Sequence, residues 1–82
     1  MKETKIIIEI KKIFKIVFKI SIDKINSKTS YKNVKMWDSL NHVKLIMALE
    51  SKFKTSISPN NAHKLLSFKE ICTFISKKKI KF

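Results

Sequence analysis

From Ile6 to Ile20, apolar residues Ile6, Ile10, Ile13, Val17 and Ile20 recur at three- and four-residue steps, while Lys11, Lys15 and Lys19 recur every fourth residue on another face. Residues three and four apart stack on one side of an α-helix, so this stretch predicts a first amphipathic helix. Residues 21–37 lose that period. They are rich in Ser, Thr, Asn and Lys, punctuated by Ile22, Ile25, Tyr31 and Val34, which predicts a long ordered loop held to a core by those anchors. Asp38 is a good N-cap for a second helix through Phe53. In it Leu40, Val43, Leu45, Ile46, Met47, Leu49 and Phe53 cover a wide arc, and Asn41, Lys44, Ser51 and Lys52 leave a narrow polar strip. A helix apolar around so much of its circumference is expected at the centre of a bundle.

Ser58 before Pro59 pairs a cap with a favoured first helical residue, opening a short third helix through about Leu66. Ser67 stands three residues before Glu70, a capping-box spacing, and Ile71, Phe74 and Ile75 continue a fourth helix to about Lys77. No segment alternates as a strand. The predicted class is all-α, a small four-helix bundle with a long loop between helices 1 and 2 and a short third helix. Its expected core is Ile10, Phe14, Val17, Leu45, Leu49, Phe53, Ile71 and Phe74.

Eighty-two residues make one domain, 1–82, with a core from about 4 to 76 and a basic tail over 77–82. A chain this short does not enclose a substrate cleft between lobes, so a non-catalytic role is expected. The lone Cys72 forms no internal disulfide and is read as core, which suits a reducing cytoplasm. No apolar run approaches the roughly 20 residues of a membrane span, so a cytoplasmic protein without a transmembrane segment is expected.

Nineteen basic against six acidic residues give a net charge of +13, which raises nucleic acid or an anionic membrane as partners. Every basic residue is lysine, isoleucine is equally overused and glycine is absent. AT-rich codon usage produces that pattern by itself. Without arginine's bidentate fork, specific reading of nucleic acid is not expected. A basic helical module using Lys11, Lys15, Lys19 and the C-terminal lysines to bind anionic lipid or nucleic acid is the first alternative function.

Candidate chemistry centres on Trp37, Asp38, Ser39 and His42. Asp38, Ser39 and His42 could suggest a hydrolase, but a nucleophilic serine normally needs a strained turn and a donor-lined oxyanion hole, often built with glycine. His42 is read instead as a polar residue at the helix edge and Trp37 as a loop anchor. Neither His42 nor His63 has cysteine neighbours in sequence that would make a metal site. A serine after aspartate at a helix start is ordinarily a cap.

In context, the Asp38-Ser39-Leu40 triplet is followed by a helix reading Val43, Leu45, Met47, Leu49, Glu50 and Phe53, then by Ile57 and a short helix with Ala62 and Leu65. It is preceded by one long amphipathic helix and a loop carrying Tyr31. From about Thr4 to Ser76 the chain resembles the acyl and peptidyl carrier family. That resemblance implies 4'-phosphopantetheine attached to Ser39 by a phosphopantetheinyl transferase, and an acyl or aminoacyl thioester loaded by a ligase, transferase or synthase. It further implies a partner-binding surface at Asp38, Leu40, Val43, Lys44, Met47 and Ile57, on an expected monomer. A carrier-like partner domain that is never modified is the second alternative. Typical fatty-acid carriers present acids along the second helix, whereas this chain keeps Glu50 but places Asn41, Lys44, Ser51 and Lys52 there. Complementary charge steers docking, so a dedicated pathway is expected. The family's glycine before the triplet is replaced by the Lys35-Met36-Trp37 stretch.

Overall fold

The computed structural model describes residues 2–78, with side chains from residue 5 onward. Four α-helices and one 3₁₀ turn follow in order: α1 (Lys2–Phe18), the turn Ile22–Lys24, α2 (Ser39–Phe53), α3 (Pro59–Ala62) and α4 (Phe68–Lys77). Among the described residues there is no strand beyond one isolated bridge, Ser30 to Ser67, and no helix long and apolar enough to cross a membrane. The all-α four-helix arrangement with a long first loop and short third helix is therefore the fold. Residues 79–82 of the basic tail, with Lys79 and Lys81, lie outside the described residues.

α2, α3 and α4 each begin where a short polar side chain meets the first unpaired amides. Asp38 caps α2, Ser58 caps α3 ahead of Pro59, and Ser67 caps α4, each accepting from the amide three residues on. The capping box of α4 is closed differently from the usual form: the Ser67 hydroxyl donates to Glu70 Oε1 at 3.1 Å while accepting from the Glu70 amide at 3.1 Å. Both α1 and α2 run into a lysine in the left-handed region, Lys19 at φ 56° and Lys54 at φ 49°. Lys19 thus stops α1 at Phe18, two residues short of the end its apolar period suggests.

Ile10, Phe14, Leu45, Leu49, Phe53 and Ile71 of the expected core are buried, and Val17 and Phe74 pack against it half-buried. Phe14 sits in an aromatic cluster, edge-on to Phe18, Trp37 and Phe68 at 5.2–5.4 Å, with Trp37 stacked on Phe18 at 4.7 Å. Edge-to-face and offset pairs of this kind add to the area they bury. Cys72 is half-buried, and burial pushes its thiol up to about 11 against a modest opposing effect of Lys11. It is thus held as an unreactive thiol at neutral pH.

Further expectations need correction, beginning with α3, which closes at Ala62 where a helix through about Leu66 is expected. The hub is α1, which packs on both α2 and α4, rather than α2. Leu40, Val43 and Met47 leave α2 exposed along one side, and apolar composition alone could not say whether a neighbour covers that side. Asn41, assigned to the polar strip, is buried because its side chain is consumed by the loop before the helix. Of the four loop anchors, only Ile25 and Val34 are buried; Ile22 and Tyr31 are exposed. The loop is held instead by backbone, Phe68 N donating to Thr29 O at 2.8 Å and Tyr31 N to Leu66 O at 3.0 Å. Glu9 bridges α1 to α2 through Lys52 Nζ at 3.0 Å and also meets Lys12 at 3.3 Å, and these contacts, Lys52 foremost, hold its carboxyl below the ordinary range.

Candidate functional site

Ser39 is the first residue of α2, exposed, and its hydroxyl takes no part in capping. Asp38 performs that role, Oδ1 accepting from the Asn41 amide at 2.8 Å while its carbonyl accepts from His42 N at 2.8 Å. The ordinary explanation for a serine at a helix start therefore falls on its neighbour. The Ser39 and Leu40 amides remain at the open, electropositive end of the helix beside the free hydroxyl.

The approach to Ser39 is fixed without glycine. Trp37 N donates to Val34 O at 3.0 Å, Asp38 N to Met36 O at 3.0 Å, and Asn41 Nδ2 to Met36 O at 2.7 Å. The only non-glycine residues with positive φ among those described are Lys19 and Lys54, so the Lys35-Met36-Trp37 stretch reaches the helix in conformations open to any side chain.

Behind the serine stands a strut that sequence reasoning missed. The buried Trp37 indole Nε1 donates to His42 Nδ1 at 3.0 Å, and His42 Nε2 lies 2.9 Å from Ala62 O. Because Nδ1 accepts, the imidazole is the neutral tautomer whose Nε2–H donates to the carbonyl at the end of α3. His42 is consequently a half-buried connector between loop, α2 and α3 rather than an edge residue. Both its nitrogens are engaged away from Ser39, so His42 is not placed as the base of a hydrolase. Glu50 likewise has a structural task, its Oε2 accepting from Ile57 N at 2.9 Å.

Ser39 borders an open depression of about 440 Å³ lined by Tyr31, Trp37, Asp38, His42, Val43 and Leu66 among others. A second, of about 290 Å³, continues along the seam between α2 and α3 and shares His42, Val43 and His63 with the first. Asp38, Leu40, Val43, Lys44 and Met47 all stand exposed along this end of α2. Ile57 does not join them: at 7% exposure it is buried, its amide held by Glu50, and it floors the second depression. A free serine hydroxyl at a helix start, beside a groove, suits a phosphodiester-linked arm in polarity and in room.

No family model matches the chain. Among curated proteins, the acyl carrier protein of Buchnera aphidicola subsp. Schizaphis graminum (strain Sg) is 36% identical over 70 residues, 85% of this chain and 89% of that protein. The acyl carrier proteins of Campylobacter hominis and Campylobacter concisus are 50% and 45% identical over 38 and 40 residues. Those two matches cover 46% and 49% of this chain, and only about half of each relative, 48% and 52%. Small, helical, with a capped second helix that presents a serine, the molecule has the form of a carrier domain. It belongs to the acyl carrier protein family.

Proposed function

We propose that this chain is a discrete, non-catalytic carrier that holds acyl or aminoacyl groups as thioesters on 4'-phosphopantetheine joined to Ser39 Oγ. The observation that carries the reading is the exposed Ser39 hydroxyl at the start of α2, released from capping by Asp38. The prosthetic group would supply the terminal thiol; the chain supplies a rigid anchor, an electropositive helix end beside the phosphodiester and the groove along α2 and α3. Leu40, Val43 and Met47, with Asp38 and Lys44 beside them, form the surface read by a phosphopantetheinyl transferase and by the loading ligase, transferase or synthase. Ile57 supports that surface from beneath. The charge of +13 supports a dedicated set of partners over the enzymes that serve acidic carriers. A monomer working in the cytoplasm fits this role.

Intact mass tests the attachment. With coenzyme A, magnesium and a broad-specificity phosphopantetheinyl transferase, the wild type should gain one phosphopantetheine and Ser39→Ala none. A folded wild type that gains no mass beside a carrier that is modified in the same tube would favour an unmodified partner domain. Mass gained by the alanine variant would place the attachment elsewhere.

A further inference from the structure

α1 displays more apolar surface than the bundle uses. Ile6, Ile10, Ile13, Phe14 and Phe18 face the core, yet Ile8 is 46% and Ile16 76% exposed. At 3.6 residues per turn, Lys5, Ile8, Lys12, Lys15 and Ile16 share an arc of about 100° on the helix surface. All five are exposed, and Lys19 follows at the helix end, exposed as well. α2, α4 and the Ile22–Lys24 turn all contact α1, yet these positions stay exposed, and none of the residues lining the depression beside Ser39 comes from α1. Glu9, at the border of this face, is turned to Lys52 and Lys12.

We propose that this outer face of α1 docks on an anionic lipid bilayer, the helix lying in the interfacial plane. Lysines interleaved with isolated isoleucines match a layer of phosphates over hydrocarbon. The ammonium groups meet the headgroups, and Ile8 and Ile16 enter the acyl boundary. A nucleic-acid backbone would reward the lysines and leave both isoleucines in water. The exposed apolar strip of α2 differs in having Lys44 as its one cation beside Leu40, Val43 and Met47. Docked through α1, the molecule keeps Ser39 free to face soluble or membrane-bound enzymes.

The unmodified 82-residue chain should cosediment with vesicles of phosphatidylcholine containing roughly one-third phosphatidylglycerol, and scarcely with phosphatidylcholine alone. Binding should fall steeply between low and moderate salt. Each lysine near such a surface contributes about a fivefold gain, so Lys12→Gln with Lys15→Gln should weaken partitioning by about tenfold or more. Ile16→Asn should weaken it about threefold or more with melting unchanged, because the side chain already stands in water. The proposal is overturned if Lys64→Gln with Lys69→Gln, an equal charge loss elsewhere, weakens binding as much. It is equally overturned if Ile16→Asn has no effect, or if duplex DNA at matched phosphate concentration binds more tightly than the vesicles. Ser39→Ala should bind vesicles like the wild type, so failure here and failure of the carrier reading remain separate results.

Discussion

His42 shows how a single side chain can connect three parts of a small bundle. Its ring lies nearly parallel to the Trp37 indole, at 20° and 6.2 Å between centroids, while its nitrogens join Trp37 to Ala62. Replacing it by phenylalanine keeps most of the ring but leaves the indole N–H without its acceptor and the Ala62 carbonyl with only the longer bond from Leu65 N at 3.3 Å. Buried groups stripped of a partner cost about 1–3 kcal/mol each, and one end here is partly open to water. His42→Phe should therefore lower stability to denaturant by about 1–3 kcal/mol. Trp37 near-ultraviolet circular dichroism should change as well. Unchanged stability together with an unchanged indole signal would mean that the strut is occupied only in passing. The place of Ser39 at the start of α2, just after the Asp38 cap, was legible from sequence because that setting is local, whereas its proposed role rests on the resemblance over the whole chain. The His42 strut was not legible, because its acceptor lies 20 residues away and no short pattern announces such a pairing.

The helices themselves were legible to the extent that their causes are local. α4 follows from Ser67, Glu70 and the helical spacing of Ile71 and Ile75, and all of these hold in three dimensions. The extent of α1 was overread because Ile20 keeps the apolar period while the backbone turns left-handed at Lys19. The burial of α2 was overread because a side chain's apolarity does not name what covers it. The absence of glycine has its own mark at the helix ends. Lys54 closes α2 at φ 49°, ψ 52°, where its amide and that of Thr55, the latter at 3.2 Å, both reach Glu50 O. A Cβ in this region costs about 1–2 kcal/mol, partly offset in glycine by a larger loss of backbone freedom. Lys54→Gly should then stabilise the fold by about 0.5–1 kcal/mol, raising the melting temperature by roughly 2–8 °C. Lys54→Ala retains the Cβ and controls for loss of the ammonium group. Equal gains in both variants would point to relief of charge crowding in place of backbone strain.

Across the surface, the charge of +13 is spread over nearly every element, so its consequences depend on what stands beside each lysine. Around α1 the neighbours are the exposed isoleucines Ile8 and Ile16; beside Ser39 they are Leu40, Val43 and Met47. Lys44 is the cation of that second patch, exposed one to two turns beyond the serine. A charge at the rim of a docking surface acts chiefly on encounter rate and on which partners are rejected, and little on folding. Lys44→Glu should accordingly leave melting close to wild type. At low ionic strength it should speed modification or loading by enzymes adapted to acidic carriers by roughly threefold to tenfold, and slow the native loading enzyme in similar measure. Raising salt should shrink both effects together, since the added ions screen the same field. If both sets of enzymes treat the two proteins alike at low salt, the lysines of this surface carry no recognition. The partner set would then be chosen by the apolar contacts of Leu40, Val43 and Met47 alone.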